Sequence, residues 1–209
     1  MIAIIDYGMG NLFSLSSSLK SLGQDVVITS DPEVIRSAGK LFLPGVGAFG
    51  DAAALLHSTG LDKVIHEEAD KGKPLMGICL GMQLLFEKSY EYGEHEGLGL
   101  VPGAVVPMEG VVDPDLQVPQ IGWNALDFTE AGKETPIFKY IKEGDYVYFV
   151  HSYYATDCAD YTLATTEYSR DLTAAVANKN VYGCQFHPEK SGDIGLAILK
   201  AFCELEDVN

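Results

Sequence analysis

One cysteine of this sequence lies in a pattern that activates a nucleophile. Cys79 is the centre of the segment Gly-Ile-Cys-Leu-Gly at positions 77–81, between an aliphatic run and an apolar stretch. This is the cysteine version of the G-x-S-x-G nucleophile elbow, a sharp strand-to-helix turn that presents the nucleophile at a helix N-terminus. The Leu80 backbone N–H would then point at the carbonyl oxygen of a bound acyl group. The pattern predicts covalent catalysis by Cys79, and the alternative is a small cysteine packed inside a core strand.

The segment Phe-His-Pro-Glu at positions 186–189 contains the other groups that such a nucleophile needs. His187 follows a strand-like run, at the strand end where parallel-sheet proteins collect their ligand chemistry. An imidazole there takes the thiol proton and returns it to a leaving amine. Glu189 can hydrogen-bond the other ring nitrogen and fix the tautomer. The segment predicts a general acid–base pair, and the alternative is an ordinary surface histidine.

A glycine-flanked loop follows the third predicted strand. Val46 stands between Gly45 and Gly47, so its peptide can rotate at little steric cost. The functional interpretation is a second backbone donor to an oxyanion, from the Val46 N–H. The alternative is a plain turn.

Two motif-like patterns each fail at one residue. The glycine turn at 8–10 lacks the third glycine of a dinucleotide-binding fingerprint, because position 13 is Phe13. His66 and Glu67 begin like a zinc-protease helix, but Asp70 occupies the place of the second histidine. Since no group of Cys, His, Asp and Glu has metal-ligand spacing, we predict no metal and no cofactor.

The composition excludes several other classes of protein. Against 14 Lys and Arg stand 30 Asp and Glu, so the net charge is −16. Such a chain repels nucleic acid and anionic lipid surfaces, and we expect neither as a partner. The hydrophobic fraction of 47% excludes a disordered chain. The longest uncharged apolar-rich stretch, 74–86, is too short to span a bilayer.

The N-terminus and the cysteines indicate a cytoplasmic protein. The apolar start at 2–5 is cut short by Asp6 and has no basic flank, so no signal peptide is predicted. The four cysteines contain no C-x-x-C pair, and reduced thiols are expected. With 209 residues and no repeat or linker, residues 1–209 are predicted to form one domain.

The first part of the chain alternates strand and helix patterns. Strands are predicted at 2–5, 26–28, 41–43 and 75–79. Helices are predicted at 12–22 with Asn11 as its cap, after Asp31-Pro32, at 50–71 with a break near Gly60, and at 82–88. This alternation predicts an α/β fold with a mostly parallel central sheet and helices on both faces.

The second part is rich in strand patterns separated by turn signals. Strands are predicted at 104–108, 121–128, 145–154, 161–168, 172–178 and 181–186, and a last helix at 192–206. Close spacing of strands favours antiparallel hairpins or a mixed sheet. We therefore expect a β-rich addition at the edge of the parallel sheet.

Six segments together resemble the triad-type, or class I, glutamine amidotransferases, and more narrowly the glutaminase subunits of imidazole glycerol phosphate synthase. The elbow and the His-Pro-Glu segment are shared by the whole superfamily, whereas the segments at 6–12, 122–124 and 148–154 are typical of these subunits. The resemblance rests on 5–12, 43–49, 77–86, 121–124, 148–154 and 185–191. One departure from the family's pattern is Gln120, where a histidine is expected.

The resemblance implies a flavodoxin-like fold and hydrolysis of L-glutamine to glutamate and ammonia by a triad of Cys79, His187 and Glu189. It further implies a heterodimer with a cyclase subunit, a (β/α)8 barrel that uses the ammonia in histidine biosynthesis. By similarity, the glutamine contacts are Gly47, Gln83, Ser152 and Tyr153. The positions at the contact with the cyclase are Asn11, Trp123, Tyr148 and Lys190.

Two other functions fit parts of the sequence. One is a stand-alone cysteine hydrolase or a glutaminase subunit of a different synthetase, with the same triad. The other is a catalytically inactive flavodoxin-like binding subunit. The presence of all three triad residues argues against the inactive subunit.

Overall fold

A computed structural model describes residues 1–206 of the chain. Strands and helices alternate through the first part. The elements are β1 (Ile2–Ile5), α1 (Leu12–Ser21), β2 (Val26–Thr29), α2 (Pro32–Ser37), β3 (Lys40–Gly45), α3 (Phe49–Thr59), α4 (Leu61–Asp70), β4 (Leu75–Cys79) and α5 (Leu80–Leu84).

Strands predominate in the second part, and short 3-10 turns lie at Pro136–Phe138, Ala159–Tyr161 and Pro188–Lys190. The other elements are β5 (Phe86–Ser89), β6 (His95–Glu96), β7 (Val101–Pro107), β8 (Gln120–Ala125), β9 (Asp127–Phe128), α6 (Glu130–Glu134), β10 (Tyr146–His151), β11 (Tyr153–Thr156), β12 (Thr162–Glu167), β13 (Asp171–Asn178), β14 (Val181–Cys184) and α7 (Gly192–Cys203).

The central sheet has eight strands in the order β2-β1-β3-β4-β14-β13-β12-β9. The first five are parallel to one another, and the last three continue the sheet in antiparallel pairs. This confirms the predicted α/β fold with a mostly parallel sheet and an antiparallel addition at its edge.

Helices cover both faces of the parallel part, so its inner strands are mostly apolar, with Lys40 at the start of β3 as a charged exception. Strands β1, β3 and β4 are buried at every residue, as expected for a sheet covered on both faces. One face packs against α3 and α4 through residues such as Leu56 and Ile65. The other packs against α1 and α7 through residues such as Leu15 and Phe202.

The remaining strands form two smaller sheets rather than joining the edge. Strands β11, β7, β5 and β6 form one sheet, and β8 and β10 form a two-stranded antiparallel ribbon. The strands predicted at 121–128 and 145–154 are therefore each divided in two. The pairing of β10 with β8 stops at His151, and from Tyr153 onward the chain pairs with β7 instead.

The helix predicted at 82–88 is wrong in its second half. Helix α5 ends at Leu84, and 86–89 is strand β5, which pairs with β7. The apolar run through Phe86 suits a buried helix and a buried strand equally, and the pairing with β7 decides. The last helix ends at Cys203 rather than at 206.

The predicted helix boundaries differ in how their caps are made. Asp31 accepts a hydrogen bond from the Glu33 N–H, so the predicted start of α2 is confirmed. Asn11 stands at the cap position of α1, but its side chain makes no capping bond, so its predicted capping role is wrong. Gly60, with φ of +72°, separates α3 from α4 where the break was predicted.

No helix within residues 1–206 has the length and apolar character needed to cross a membrane.

Candidate active site

Strands β4 and β14 are parallel neighbours, and their carboxyl ends bring the two strongest sequence motifs together. Ile78 pairs with Cys184, so Cys79 and the segment that follows β14 leave the sheet side by side. Ligand chemistry in such sheets collects at the carboxyl ends of strands. Cys79 and His187 are thus adjacent although they are far apart in the sequence.

The backbone at Cys79 has the strained turn expected of a nucleophile elbow. Cys79 ends β4 with φ of +55° and ψ of −113°, a conformation that side-chain-bearing residues rarely adopt, and α5 begins at the next residue. A Cβ atom on Gly81 would lie 1.7 Å from the Leu43 carbonyl oxygen, and one on Gly77 would lie 2.6 Å from the Gly81 oxygen. Glycine is therefore required on both sides of the turn.

His187 is held between a thiol and a carboxylate. Its Nδ1 donates to Glu189 Oε1 over 2.8 Å, and both side chains are 2% exposed. Cys79 lines the same cavity as the ring, and its thiol donates to the Val150 carbonyl oxygen over 3.9 Å. Burial lowers the pKa of His187, but its interactions with Cys79 and Glu189 outweigh that effect and raise the pKa to about 9. The imidazole is therefore protonated at neutral pH.

The other three cysteines lie in different surroundings. Burial raises the pKa of the Cys158 and Cys184 thiols and raises that of Cys203 to about 12. A protonated thiol is a poor nucleophile. Of the four cysteines, Cys79 alone lines the cavity together with the protonated imidazole of His187.

The glycine-flanked loop lies across from the elbow. Gly45 pairs with Cys79 in the register of β3 and β4, and Gly47 has φ of +104°. Val46, between them, is exposed. Leu80 is the first residue of α5, where backbone N–H groups have no partner inside the helix. Val46 and Leu80 line the same cavity as Cys79, from two different elements.

These elements enclose a cavity of about 580 Å³. It contains most of the residues that the sequence predicted for catalysis and substrate contact. The predicted residues that line it are Val46, Gly47, Cys79, Leu80, Gln83, Ser152, Tyr153, His187 and Lys190. Among the predicted site residues, Glu189 lies behind His187 rather than on the cavity wall.

Gln83 is buried and fully engaged in hydrogen bonds at the floor of the cavity. Its Nε2 donates to the Tyr153 carbonyl oxygen over 3.1 Å and to Gln185 Oε1 over 3.0 Å. Gln185 Nε2 in turn lies 3.8 Å from Cys79 Sγ. Gln83 therefore fixes the backbone of β11 relative to the nucleophile.

Several residues of the cavity were missed by the sequence reasoning. The acidic side chains of Glu91 and Glu109 and the buried ring of His151 line it. The Glu91 carboxylate accepts a hydrogen bond from the Phe49 N–H at the start of α3. A single acidic residue in a loop carries no local signal, because only the fold places it beside the elbow.

The four predicted interface positions lie on the cavity wall or on elements that adjoin it. Trp123 and Tyr148 pair across the ribbon with their ring centres 5.9 Å apart, and Trp123 is 52% exposed. The Tyr148 carbonyl accepts a hydrogen bond from the His187 N–H. Lys190 lines the cavity, and the helix that Asn11 precedes contacts the 3-10 turn containing Lys190.

Known proteins resemble this chain along nearly its whole length. The family model for glutamine amidotransferase class-I matches residues 3–204. The imidazole glycerol phosphate synthase subunit HisH of Caldanaerobacter subterraneus subsp. tengcongensis is 52% identical over 206 residues, which are 98% of each chain. The subunit of the same name from Sulfurimonas denitrificans is 48% identical over 211 residues, with both chains covered completely.

Solved structures with much lower identity have the same fold. A glutamine amidotransferase structure superimposes with a TM-score of 0.73 at 18% identity and covers 97% of this chain and 100% of its own. PurLQS from Thermotoga maritima gives a TM-score of 0.71 at 21% identity, with 97% and 96% covered. At such low identities the superpositions show a shared fold. The family model and the relatives that are about half identical show that the chain shares its ancestry with this family. This chain belongs to the class-I glutamine amidotransferase family.

Proposed function

We propose that this chain is the glutaminase subunit of an imidazole glycerol phosphate synthase, in histidine biosynthesis. It hydrolyses L-glutamine to glutamate and ammonia. The observation that carries the proposal is that Cys79 and the hydrogen-bonded pair of His187 and Glu189 meet at the ends of two parallel strands. The reading is supported by relatives with that name that are about half identical over the full chain.

The chemistry proceeds through a thioester. The Cys79 thiol gives its proton to His187, and the sulfur attacks the side-chain amide carbon of glutamine, so that the C–S bond forms as the carbonyl oxygen becomes an oxyanion. The N–H groups of Leu80 and Val46 stabilise that oxyanion. His187 then donates its proton to the amide nitrogen, the C–N bond breaks and ammonia leaves. Glu189 holds the imidazole in place and stabilises its positive charge.

The second half of the reaction restores the enzyme. His187, now neutral, takes a proton from water, and the hydroxide attacks the thioester carbon. The oxyanion forms again at the same donors, the C–S bond breaks, and glutamate is released. His187 returns the proton to the sulfur, so that no proton or electron is left over.

Glutamine binds in the cavity beside these residues. Gly47, Gln83, Ser152 and Tyr153 are the contacts proposed by family resemblance, and all four line the cavity. The Glu91 carboxylate lies on the same wall and suits the α-ammonium group of the substrate. A positively charged amino group is favoured there by the surrounding negative charge.

The partner is a cyclase subunit with a (β/α)8 barrel, in a cytoplasmic heterodimer. Asn11, Trp123, Tyr148 and Lys190 form its proposed contact. The ribbon, whose His151 lines the cavity, presents Ile121 and Trp123 as apolar side chains that are 57% and 52% exposed. Apolar residues rimmed by polar groups are typical of protein interfaces. Docking there would cover the cavity and direct ammonia to the cyclase.

The proposal is tested by reconstitution. The chain is mixed with the cyclase subunit of one of its relatives, and formation of imidazole glycerol phosphate is measured with glutamine or with ammonium salt. We expect product from glutamine only when both proteins are present, and product from ammonium with the cyclase alone. Glutamine hydrolysis without any transfer of nitrogen to product would contradict the proposal and favour a stand-alone hydrolase.

A further inference from the structure

A row of buried polar side chains inside the ribbon takes no part in the chemistry described above. Gln120 begins β8 and His151 ends β10, and the two pair directly in the antiparallel register. Gln120 is completely buried, and His151 is 6% exposed. His151 Nε2 lies 3.0 Å from Gln120 Oε1, and Gln120 Nε2 donates to Asn124 Oδ1 over 3.0 Å.

The inner end of this row reaches the cavity wall. His151 Nδ1 donates to the Tyr153 carbonyl oxygen over 2.8 Å. The same oxygen accepts the hydrogen bond from Gln83, which leads through Gln185 to the Cys79 sulfur. The Tyr153 carbonyl is therefore fixed from two sides, by the floor of the cavity and by the ribbon.

The outer end of the row reaches the surface. Asn124 is partly exposed, and its Nδ2 donates to the Glu167 carbonyl oxygen over 3.3 Å. Its neighbour in β8 is Trp123, whose ring is half exposed. The row thus connects a surface strand to the substrate cavity through the interior of the molecule.

The row has a directional conflict that depends on His151. Both of its ends are backbone carbonyl oxygens, which only accept, so its four hydrogen bonds form together only when both ring nitrogens of His151 carry protons. Burial lowers the pKa of His151 to about 4, the bond to the Tyr153 carbonyl opposes this, and the charge of His187 adds to it. The ring is therefore neutral at pH 7.

With a neutral ring the row has two arrangements. Either the amides stay as described and no proton lies between His151 Nε2 and Gln120 Oε1, or the amides turn. His151 keeps its Nδ1 proton on the Tyr153 carbonyl, because that oxygen cannot donate. The bond between His151 Nε2 and Gln120 then forms only when the Gln120 amide turns and donates its Nε2 proton. The Asn124 amide then turns as well and donates to Gln120 Oε1. The acceptor left without a proton is Asn124 Oδ1, which water or a partner group can satisfy. Asn124 is the one partly exposed side chain of the three.

We propose that Gln120 and His151 are positioning residues for glutamine binding, which hold the Tyr153 carbonyl and the cavity wall in the substrate-binding arrangement. The inference rests on the proposed function, because it assigns the row's effect to the glutamine site. Neither residue touches the reacting atoms, so the row affects substrate affinity more than the chemical step.

The test compares variants in the reconstituted complex. Gln120→Leu removes both hydrogen bonds at similar volume and is expected to raise the KM for glutamine about 10-fold, the size of one lost neutral hydrogen bond. The kcat is expected to change less than about 3-fold. Gln120→His restores a polar partner for His151 and is expected to return KM to within about 3-fold of the wild type.

Two further variants separate this effect from loss of stability. Thr166→Val removes another buried hydrogen bond, to the Ala125 carbonyl at the end of β8, but lies outside the row. It is expected to leave KM unchanged. Asn124→Ala changes only the exposed end, and it is expected to raise KM less than Gln120→Leu, which keeps the test available if Gln120→Leu does not fold.

The outcomes distinguish the inference from the function on which it rests. Product formation from glutamine by the wild-type complex tests the function alone. With an active wild type, an unchanged KM in Gln120→Leu, or an equal rise in Thr166→Val, overturns the positioning role. If Gln120→Leu does not fold, an unchanged KM in Asn124→Ala overturns it as well.

Discussion

Two buried histidines face the same cavity from different parts of the molecule and differ in charge. His187 follows β14 of the large sheet, beside Cys79 and Glu189, and its pKa is about 9. His151 ends β10 of the ribbon, and its partners are the Gln120 amide and the Tyr153 carbonyl. Its pKa is about 4, chiefly because of burial.

The difference shows that partners rather than depth set the charge of these rings. Both side chains are almost completely buried, at 2% and 6% exposure. The negative charges of Glu189 and Cys79 favour the imidazolium of His187, whereas the amide and the carbonyl beside His151 carry no net charge to offset the loss of water. His187, at the end of the parallel sheet, is therefore suited to proton transfer. His151, in the ribbon, is suited to being an uncharged part of the cavity wall.

The largest effect is expected from removing the nucleophile beside His187. Cys79→Ala leaves no atom that can form the thioester, so glutamine-dependent product formation should be abolished in the reconstituted complex. Formation of product from ammonium should survive, because that chemistry belongs to the cyclase. The assay is steady-state release of glutamate. Cys158→Ala and Cys203→Ala are the controls and should retain activity, and any measurable hydrolysis by Cys79→Ala would refute the role of the sulfur.

The next largest effect comes from changing the ring or its partner. His187→Ala should lower kcat by about 10²- to 10⁴-fold, because it removes the proton donor and acceptor. Glu189→Gln gives His187 an amide partner like that of His151. Its kcat should fall clearly but less than that of His187→Ala, and its pH profile should move to lower pH. A loss equal to that of His187→Ala would assign the proton transfer differently.

The catalytic end of the parallel sheet was predictable from the sequence because each motif carries its own signal. Strand β4 was predicted at 75–79 and is found at Leu75–Cys79. Parallel strands align their carboxyl ends, so an elbow after one strand and a His-Pro-Glu segment after another must meet when the strands are neighbours. Local sequence patterns therefore predict this part of the fold, even though the register between β4 and β14 is not known from the sequence.

The ribbon was not predictable in the same way. The meeting of Gln120 with His151 depends on the register of β8 and β10, which a single sequence does not reveal. Ser152 gives no signal that the strand at 145–154 changes sheets. The apolar run at 82–88 fits a helix and a strand equally. His151, whose partner is set across strands, and Glu91, a loop residue whose position beside the elbow depends on the whole fold, were therefore missed.

A third prediction asks whether the catalytic end is fully active without the ribbon's partner. Ammonia released without an acceptor is lost, so an enzyme that is slow alone and fast in the complex makes functional sense. Val46, between two glycines, is placed to supply or withdraw an oxyanion donor, and one missing donor lowers turnover by about 10²- to 10³-fold. We expect at least such activation by the cyclase and its nucleotide substrate, measured as glutamine hydrolysis. Rates that agree within about 3-fold would exclude latency.

A variant of the loop sharpens this prediction. Gly47 has φ of +104°, and a Cβ atom there would lie 2.6 Å from the Met9 Cε. Gly47→Val should therefore distort the loop and lower the activated kcat more than it lowers binding to the cyclase, measured by pull-down. Equal losses of both would attribute the effect to assembly.

The two histidines also predict opposite effects of pH on stability. The pKa of His151 is lower in the folded state than its ordinary 6.5, so the free energy of unfolding should rise between pH 4 and 6.5. The pKa of His187 is raised, so the stability it adds is present below pH 6.5 and is lost as pH rises through 9. Each contribution amounts to at most about 3 kcal/mol. Urea unfolding across this range should show the upper decline in the wild type but not in His187→Ala; an identical decline in both would contradict the assignment.

The smallest effect concerns a polar group of the parallel part that, unlike the row in the ribbon, has no partner. The Tyr7 hydroxyl is buried and makes no hydrogen bond within residues 1–206. It lies against the loop, since a Cβ atom on Gly45 would be 2.6 Å from its oxygen. Burial, with the nearby Cys79, raises its pKa, so the hydroxyl stays neutral.

Because an unpaired buried hydroxyl is destabilising by about 1 to 3 kcal/mol, Tyr7→Phe should increase the free energy of unfolding by roughly 1 kcal/mol. The change is measured from the midpoint of urea unfolding at an unchanged m-value. Thr166→Val removes a hydroxyl that is paired, with the Ala125 carbonyl, and should lower it instead. If Tyr7→Phe were destabilising as well, the hydroxyl would have a hydrogen-bond partner in solution, and the contrast between the unpaired Tyr7 hydroxyl and the paired Thr166 hydroxyl would fail.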